Sequence, residues 1–253
     1  MRNIWTICRK ELNAYFASPI AYLVLAMFAI VFGRIFTGTI SQFALLSMQS
    51  QMRGMPVDLN EMVIGPLLMT VSFLGLFLIP LITMRLFAEE KRSGTIELLL
   101  TSPVHDHEII LGKWLGAMLL YCLLLLLSGL SFGFLFAHGQ PDWKPMLAGY
   151  LGLLLQSGAL LALGTFISTL TRNQIIAGAA TFGLFLLLWV FAWAGAEEQT
   201  PAAAVVRYLS VFSHTEPFAK GLIDTKDVVY FLTMIFFGIF LSVRSIESLR
   251  WRA

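Results

Sequence analysis

The sequence predicts an all-α polytopic membrane protein with six transmembrane helices, an N-terminal interfacial amphipathic helix, and a re-entrant outer hairpin before the last span. Three observations lead there. The 253 residues are 58% hydrophobic and 13% charged, with a mean hydropathy of +0.80, whereas a soluble domain is nearer half apolar and a quarter charged. Six apolar runs stand out, each of about 16 to 25 residues, the length a helix needs to cross a hydrocarbon core about 30 Å thick. Apart from Arg34, near the end of the first, the charges collect between these runs.

Residues 1–18 open the chain as an amphipathic helix. Ile4, Trp5, Cys8, Leu12, Tyr15 and Phe16 share one face, and Arg2, Lys10 and Asn13 lie opposite. Such a helix belongs in the membrane interface, its apolar face among acyl chains. Ser18-Pro19 ends it and turns the chain into the first span. The spans are Ile20–Phe36, Ile64–Met84, Trp114–Ala137, Met146–Leu170, Gln174–Ala194 and Val228–Val243. No small-residue cleavage site follows the first of them, so it reads as a retained anchor. Pro66 and Pro80 are expected to kink or loosen the second span. Gly129/Gly133, Gly158, Gly164 and Ala179/Gly183 offer close helix contacts, most of them within one subunit. Cys8 and Cys122 give no disulfide framework.

Lys and Arg set the orientation. With the N-terminus in the cytoplasm, Arg2, Arg9, Lys10, Arg85, Lys91, Arg92, Lys113, Arg172, Arg244, Arg250 and Arg252 lie inside. Arg34, Arg53, Lys144, Arg207, Lys220 and Lys226 lie outside, which makes eleven against six. Both termini are then cytoplasmic.

The cytoplasmic loop 85–113 reads as a continuation of span two to Arg92, stopped where Gly94 supplies a positive φ. Thr95 caps a short helix, Ile96–Thr101, and Pro103 ends it. Leu98, Leu99 and Leu100 on that helix need burial, against a partner, the bilayer or neighbouring helices. The outer segment 195–227 holds an apolar stretch, Ala202–Phe218, between polar flanks, Glu197 to Thr200 and Asp224 to Asp227. A seventh span there would strand Arg244, Arg250 and Arg252 on the outer side, and Arg207 and His214 make a lipid-exposed crossing costly. Pro201 suits a helix start, and Ser210, Ser213 and Thr215 suit a break, so two short helices that dip in and return are expected.

Catalytic, cofactor-binding and metal-binding residues are expected to be none. Gly112-Lys113 is followed by Trp114 and lacks the first glycine of a P-loop, so Lys113 reads as a lysine snorkelling to the interface. His105-Asp106-His107-Glu108 presents ligands on different helix faces and reads as the polar start of the third span. Within the spans only side chains such as Thr70, Ser72, Ser128, Ser131, Gln156, Ser157, Thr165, Ser168 and Thr181 interrupt the apolar runs. The absence of a mid-span charge argues against ion-coupled transport and against an intramembrane enzyme.

The stretch Arg85–Pro103 followed by Glu108-Ile-Ile-Leu-Gly-Lys113 resembles the signature of ABC-2 type transporter permeases. Lys10-Glu11-Leu12 with Tyr15-Phe16-Ala-Ser-Pro19, and the tail His214…Phe218-Ala-Lys-Gly-Leu-Ile-Asp224…Asp227-Val-Val-Tyr230, resemble the gliding-motility-associated, type V exporter-like subgroup. The three motifs fall in the right order over nearly the whole chain, so residues 1–253 form one such transmembrane domain. The resemblance implies a permease subunit of the bacterial inner membrane that couples ATP hydrolysis by a separate ABC ATPase, holding ATP and Mg, to export. Glu89, Glu90, Lys91, Arg92, Thr95, Ile96, Glu97, Leu98, Leu99 and Leu100 would dock that ATPase. An interfacial helix carrying Trp5, Lys10, Glu11, Leu12, Tyr15 and Phe16 would brace the contact. Tyr208, Leu209, Phe212, His214 and Phe218 would form an outer gate. Implied partners are a second permease copy in a homodimer, the lipid bilayer and a membrane-anchored periplasmic accessory subunit, with no nucleic acid. The alternative is a force- or signal-transmitting subunit that moves no substrate.

Overall fold

The computed structural model describes residues 2–53, 58–101, 103–139, 141–194 and 201–250. Among these the chain is 89% helical and has no strand. The helices are α1 (Arg2–Ala17), α2 (Pro19–Arg53), α3 (Gly65–Thr83), α4 (Ala88–Ser93), α5 (Ile96–Thr101), α6 (Asp106–His138), α7 (Trp143–Leu170), α8 (Gln174–Ala194), α9 (Pro201–Tyr208), α10 (Val211–Ala219) and α11 (Thr225–Arg250). One π turn, Asn60–Ile64, leads into α3. The six helices long and apolar enough to cross a membrane are α2, α3 with its flanking turns, α6, α7, α8 and α11.

Several helices outrun their apolar runs. At 1.5 Å per residue, the 35-residue α2 is about 52 Å long, so it projects roughly 20 Å beyond a hydrocarbon core. In its polar second half the hydroxyls of Thr39 and Ser41 donate to the carbonyls of Ile35 and Thr37, four residues earlier. Helix α6 likewise starts eight residues before Trp114, where Glu108 accepts from the His105 amide at 3.3 Å and the Asn3 side chain at 3.0 Å. The polar run after Pro103 thus starts a helix, as expected. Pro66 lies in the first turn of α3, directly after the π turn, and Pro80 lies inside the helix, three residues before its end.

Helix α7 is the hub, and its glycines explain why. A β-carbon at Gly152 would lie 2.5 Å from Phe218 Cβ, and one at Gly164 would lie 2.5 Å from Thr83 Oγ1. From the other side, a β-carbon at Gly238 of α11 would lie 2.8 Å from the Ala162 carbonyl carbon of α7. Helices α3, α10 and α11 therefore rest almost on the α7 backbone, the close approach by which helices associate where no hydrophobic drive separates protein from lipid. Gly158 also packs, under Ile235, whereas Gly133 and Gly183 face open space. Gln156 of α7 adds a buried polar tie, its Oε1 accepting from Ser72 of α3 (2.8 Å) and Thr215 of α10 (3.3 Å). The bundle has two ends: a loop end with α1, α4, α5 and the start of α6, and a hairpin end with α9, α10 and the start of α11.

Candidate functional site

At the loop end the second span does not run unbroken to Arg92. It ends at Thr83, turns through 84–87 and resumes as α4. A break of this kind orphans backbone groups that must find partners if buried. Three other helices supply them. Tyr15 of α1 donates its hydroxyl to the Ile82 carbonyl at 2.8 Å. Ser168 Oγ of α7 accepts from the amides of Phe87 and Ala88 at 3.0 and 3.2 Å. Lys113 of α6 donates to the Leu86 carbonyl at 2.8 Å.

Lys113 is the centre of this joint. It does not snorkel to the interface. The side chain is 1% exposed, and its Nζ also donates to Glu11 Oε1 of α1 (2.7 Å) and Glu90 Oε1 of α4 (2.9 Å). An ammonium has three hydrogens, and here each meets an acceptor. The Phe87 ring lies 5.0 Å from the same ammonium. Lys10 approaches Glu90 at 3.7 Å, so two cations meet two carboxylates. Helix α1 reaches the lysine because α6 presents glycines to it. A β-carbon at Gly112 would lie 2.7 Å from Ile7 Cβ, and one at Gly116 would lie 2.8 Å from Glu11 Cβ. This Gly112-x-x-x-Gly116 seam is absent from the small-residue contacts expected above, because nothing in the sequence points to its partner.

The face of α1 differs from the expected one. Cys8, Glu11 and Tyr15 are buried against the bundle, with Ile4, Ile7 and Leu12 half-buried, while Trp5 is 63% exposed and off the contact face. Burial, reinforced by the charge of Glu11, pushes the Cys8 thiol above its usual range. Phe16 packs edge-on to Tyr22 at the start of α2, with centroids 5.8 Å apart. Arg85 pairs with the exposed Glu89 at 3.1 Å, and Lys91 donates to the Thr169 carbonyl of α7. Gly94 has φ +76°, the left-handed stop its sequence position suggested, and α5 follows at once. Arg92, Thr95 and Glu97 are exposed, Ile96 is half-buried, and Leu98 is 73% exposed. The side chains of Leu99 and Leu100 lie outside the described residues. The structure therefore gathers Glu11, Glu90 and Lys10 around Lys113 and leaves Leu98 standing free.

At the hairpin end Ser210 breaks α9 from α10 and accepts from the Ser213 amide. Ser213 and Thr215 lie inside α10 rather than at the break. The expected polar flank Glu197 to Thr200 lies outside the described residues. Of the five expected gate residues, Phe212, His214 and Phe218 are buried, while Tyr208 and Leu209 are exposed. The sequence placed Asp227 in the polar flank before the last span and in the tail motif, without pairing it to His214, yet it is 1% exposed and lies 2.6 Å from His214. No group of His, Cys, Asp and Glu that could hold a metal ion occurs among the described residues.

Comparison with known proteins gives one family. No curated protein matches the chain. The family described as ABC-2 family transporter protein matches residues 5–217, which covers α1, the loop-end joint and the hairpin up to Pro217. Members of that family are membrane subunits that are not catalytic alone and generally pair with an ABC ATPase subunit. With its six apolar helices the chain is a multi-pass membrane protein, and it belongs to the ABC-2 family of transporter membrane proteins.

Proposed function

We propose that this chain is the permease half of an ATP-driven exporter of the bacterial inner membrane. In this reading it works as a homodimer with both termini cytoplasmic, and each copy docks one ABC ATPase through α4–α5. The observation that carries the proposal is the pairing of an exposed apolar turn with an immobilised joint. Leu98 is 73% exposed, and the segment that bears it joins α3 through a break whose orphan groups are tied to α1, α6 and α7. A push on α5 is thereby transmitted to three other helices together. Trp5 on the outer side of α1 suits the headgroup region, where an indole ring sits with one end wet. The tail His214 to Tyr230 supports the gliding-motility-associated subgroup, and with it a membrane-anchored periplasmic accessory subunit. Helices α9 and α10 together form the proposed re-entrant outer gate. ATP and Mg bind the partner subunit.

The test is reconstitution. The purified chain should release no phosphate from ATP by itself, and should form an active complex when co-expressed with a separate P-loop ABC ATPase subunit from the same organism. Turnover by the isolated chain, or an ATPase that never co-purifies with it, would overturn the reading.

A further inference from the structure

His214 and Asp227 present a proton count that the rest of the bundle does not. His214 Nε2 lies 2.8 Å from the Tyr208 carbonyl, and Nδ1 lies 2.6 Å from Asp227 Oδ1. A carbonyl oxygen only accepts, so Nε2 must carry hydrogen to bond there. A neutral imidazole owns one N–H, and a second acceptor awaits it. Nδ1 and Oδ1 at 2.6 Å therefore need a hydrogen of their own, whether the pair is written as imidazolium–carboxylate or as imidazole–carboxylic acid. Without it, two lone pairs confront each other in a site where His214 is 4% and Asp227 1% exposed.

The pair joins the hairpin to the last span. His214 belongs to α10, the Tyr208 carbonyl ends α9, and Asp227 lies in the first turn of α11. Tyr230 of α11 stacks on the imidazole (centroids 3.9 Å apart, planes at 19°) and donates its hydroxyl to the Leu209 carbonyl at 2.8 Å. Both carbonyls that end α9 are thus held, one through His214 and one through Tyr230. The ionisable groups around the pair are Arg207 and Tyr208 from α9 and Lys226 and Tyr230 from α11; α10 contributes His214 itself. Lys226 is held by Asp224 at 2.9 Å. Asp227 Oδ2 is buried without a partner among the described residues, so no fixed donor substitutes for the pair's second proton.

We infer that Asp227 is the positioning residue of the hairpin, and that α9–α10 stay closed on α11 only while the His214–Asp227 pair holds its second proton. The closed state is complete at low pH and is lost as pH rises. An asparagine at 227 makes the sharpest test. Its Nδ2–H can donate to Nδ1 of a neutral imidazole while Nε2–H still serves Tyr208, so the latch would close with no second proton.

The readout is maleimide labelling of the full chain in detergent, in a background of Cys8→Ala and Cys122→Ala. Val211→Cys reports from a position 1% exposed at the start of α10, and Leu222→Cys, at a position 63% exposed, corrects for the pH dependence of thiol chemistry itself. The ratio of the two rates should rise at least about tenfold from about pH 5 to about pH 9, the span across which imidazoles titrate. Asp227→Asn should hold the ratio low and flat, and Asp227→Ala should hold it high at both ends. A flat ratio with Asp227 in place would overturn the inference. So would an Asp227→Asn chain that keeps the pH rise or stands open throughout.

Discussion

Lys113 at the loop end offers three hydrogens to three acceptors, whereas His214 at the hairpin end meets two acceptors with a ring that owns one hydrogen when neutral. Both sites bury charge, and both tie together elements distant in sequence. The difference lies in what completes the count. Around Lys113 every donor is matched by groups of the chain, and Lys10 brings a second cation to the second carboxylate. One carboxylate oxygen at each site, Glu90 Oε2 and Asp227 Oδ2, is buried without a partner among the described residues, but the bond between Asp227 and His214 also depends on a proton taken from the surroundings. A buried ion saturated by fixed groups acts as a rivet, while one saturated by an exchangeable proton acts as a latch. Rigidity near α5 suits transmission of force, and a releasable contact suits a gate.

The largest effect should come from breaking the rivet. Lys113→Met leaves Glu11 and Glu90 facing each other without their cation, and removing one partner of a buried ion cluster costs about 3–5 kcal/mol. Chemical unfolding of the detergent-solubilised chain should show a loss of that size. Lys113→Arg should recover only part of it, because a planar guanidinium cannot reach three acceptors placed for an ammonium. A loss under about 1 kcal/mol would erase the distinction between the two ends.

A second substitution separates the ends spatially. Gly152→Val would drive its side chain into Phe218, and overpacking of this kind costs about 1–3 kcal/mol. Its effect should fall on the hairpin, raising Val211→Cys labelling at every pH. Leu98→Asp should leave stability within about 0.5 kcal/mol, since the side chain is exposed. It should nevertheless lower co-purification of the ATPase at least about tenfold, because an apolar side chain of this size contributes roughly 1.5–3 kcal/mol when buried at a contact. Unchanged recovery would move the docking surface away from α5. The smallest effect serves as the control for both ends. Glu247→Gln removes the exposed Arg244–Glu247 pair (2.8 Å) and should change stability by no more than about 0.5 kcal/mol.

The number of spans and their order were legible because an apolar run long enough to cross a bilayer has few other uses. Gly94, Pro103 and Ser210 were legible for a different reason, since each acts on its own turn of chain through φ, a missing amide or a short hydroxyl. The extent of α2 was not legible. A hydropathy window follows the hydrocarbon core and misses polar turns that remain helical beyond it. Cys8 and Tyr15 were assigned to a face among acyl chains because amphipathicity alone cannot distinguish lipid from protein as the apolar neighbour. The small residues expected to mediate contacts divided the same way. Gly158 and Gly164 meet other helices, whereas Gly133 and Gly183 meet none among the described residues.

By itself, then, the sequence determined a six-span helical membrane protein, a glycine-stopped helical turn in its charged loop, and a broken apolar segment before the last span. These follow from composition and from interactions within a few residues. Only the tertiary structure decided that Lys113 is buried rather than snorkelled, that Glu11, 102 residues away, is its acceptor, and that His214 leans on Asp227. A charged side chain in a sequence carries no record of its partners. Its fate depends on whether folding brings enough acceptors or donors to replace water, and that sum is complete only when α1, α4 and α6, or α9, α10 and α11, have met.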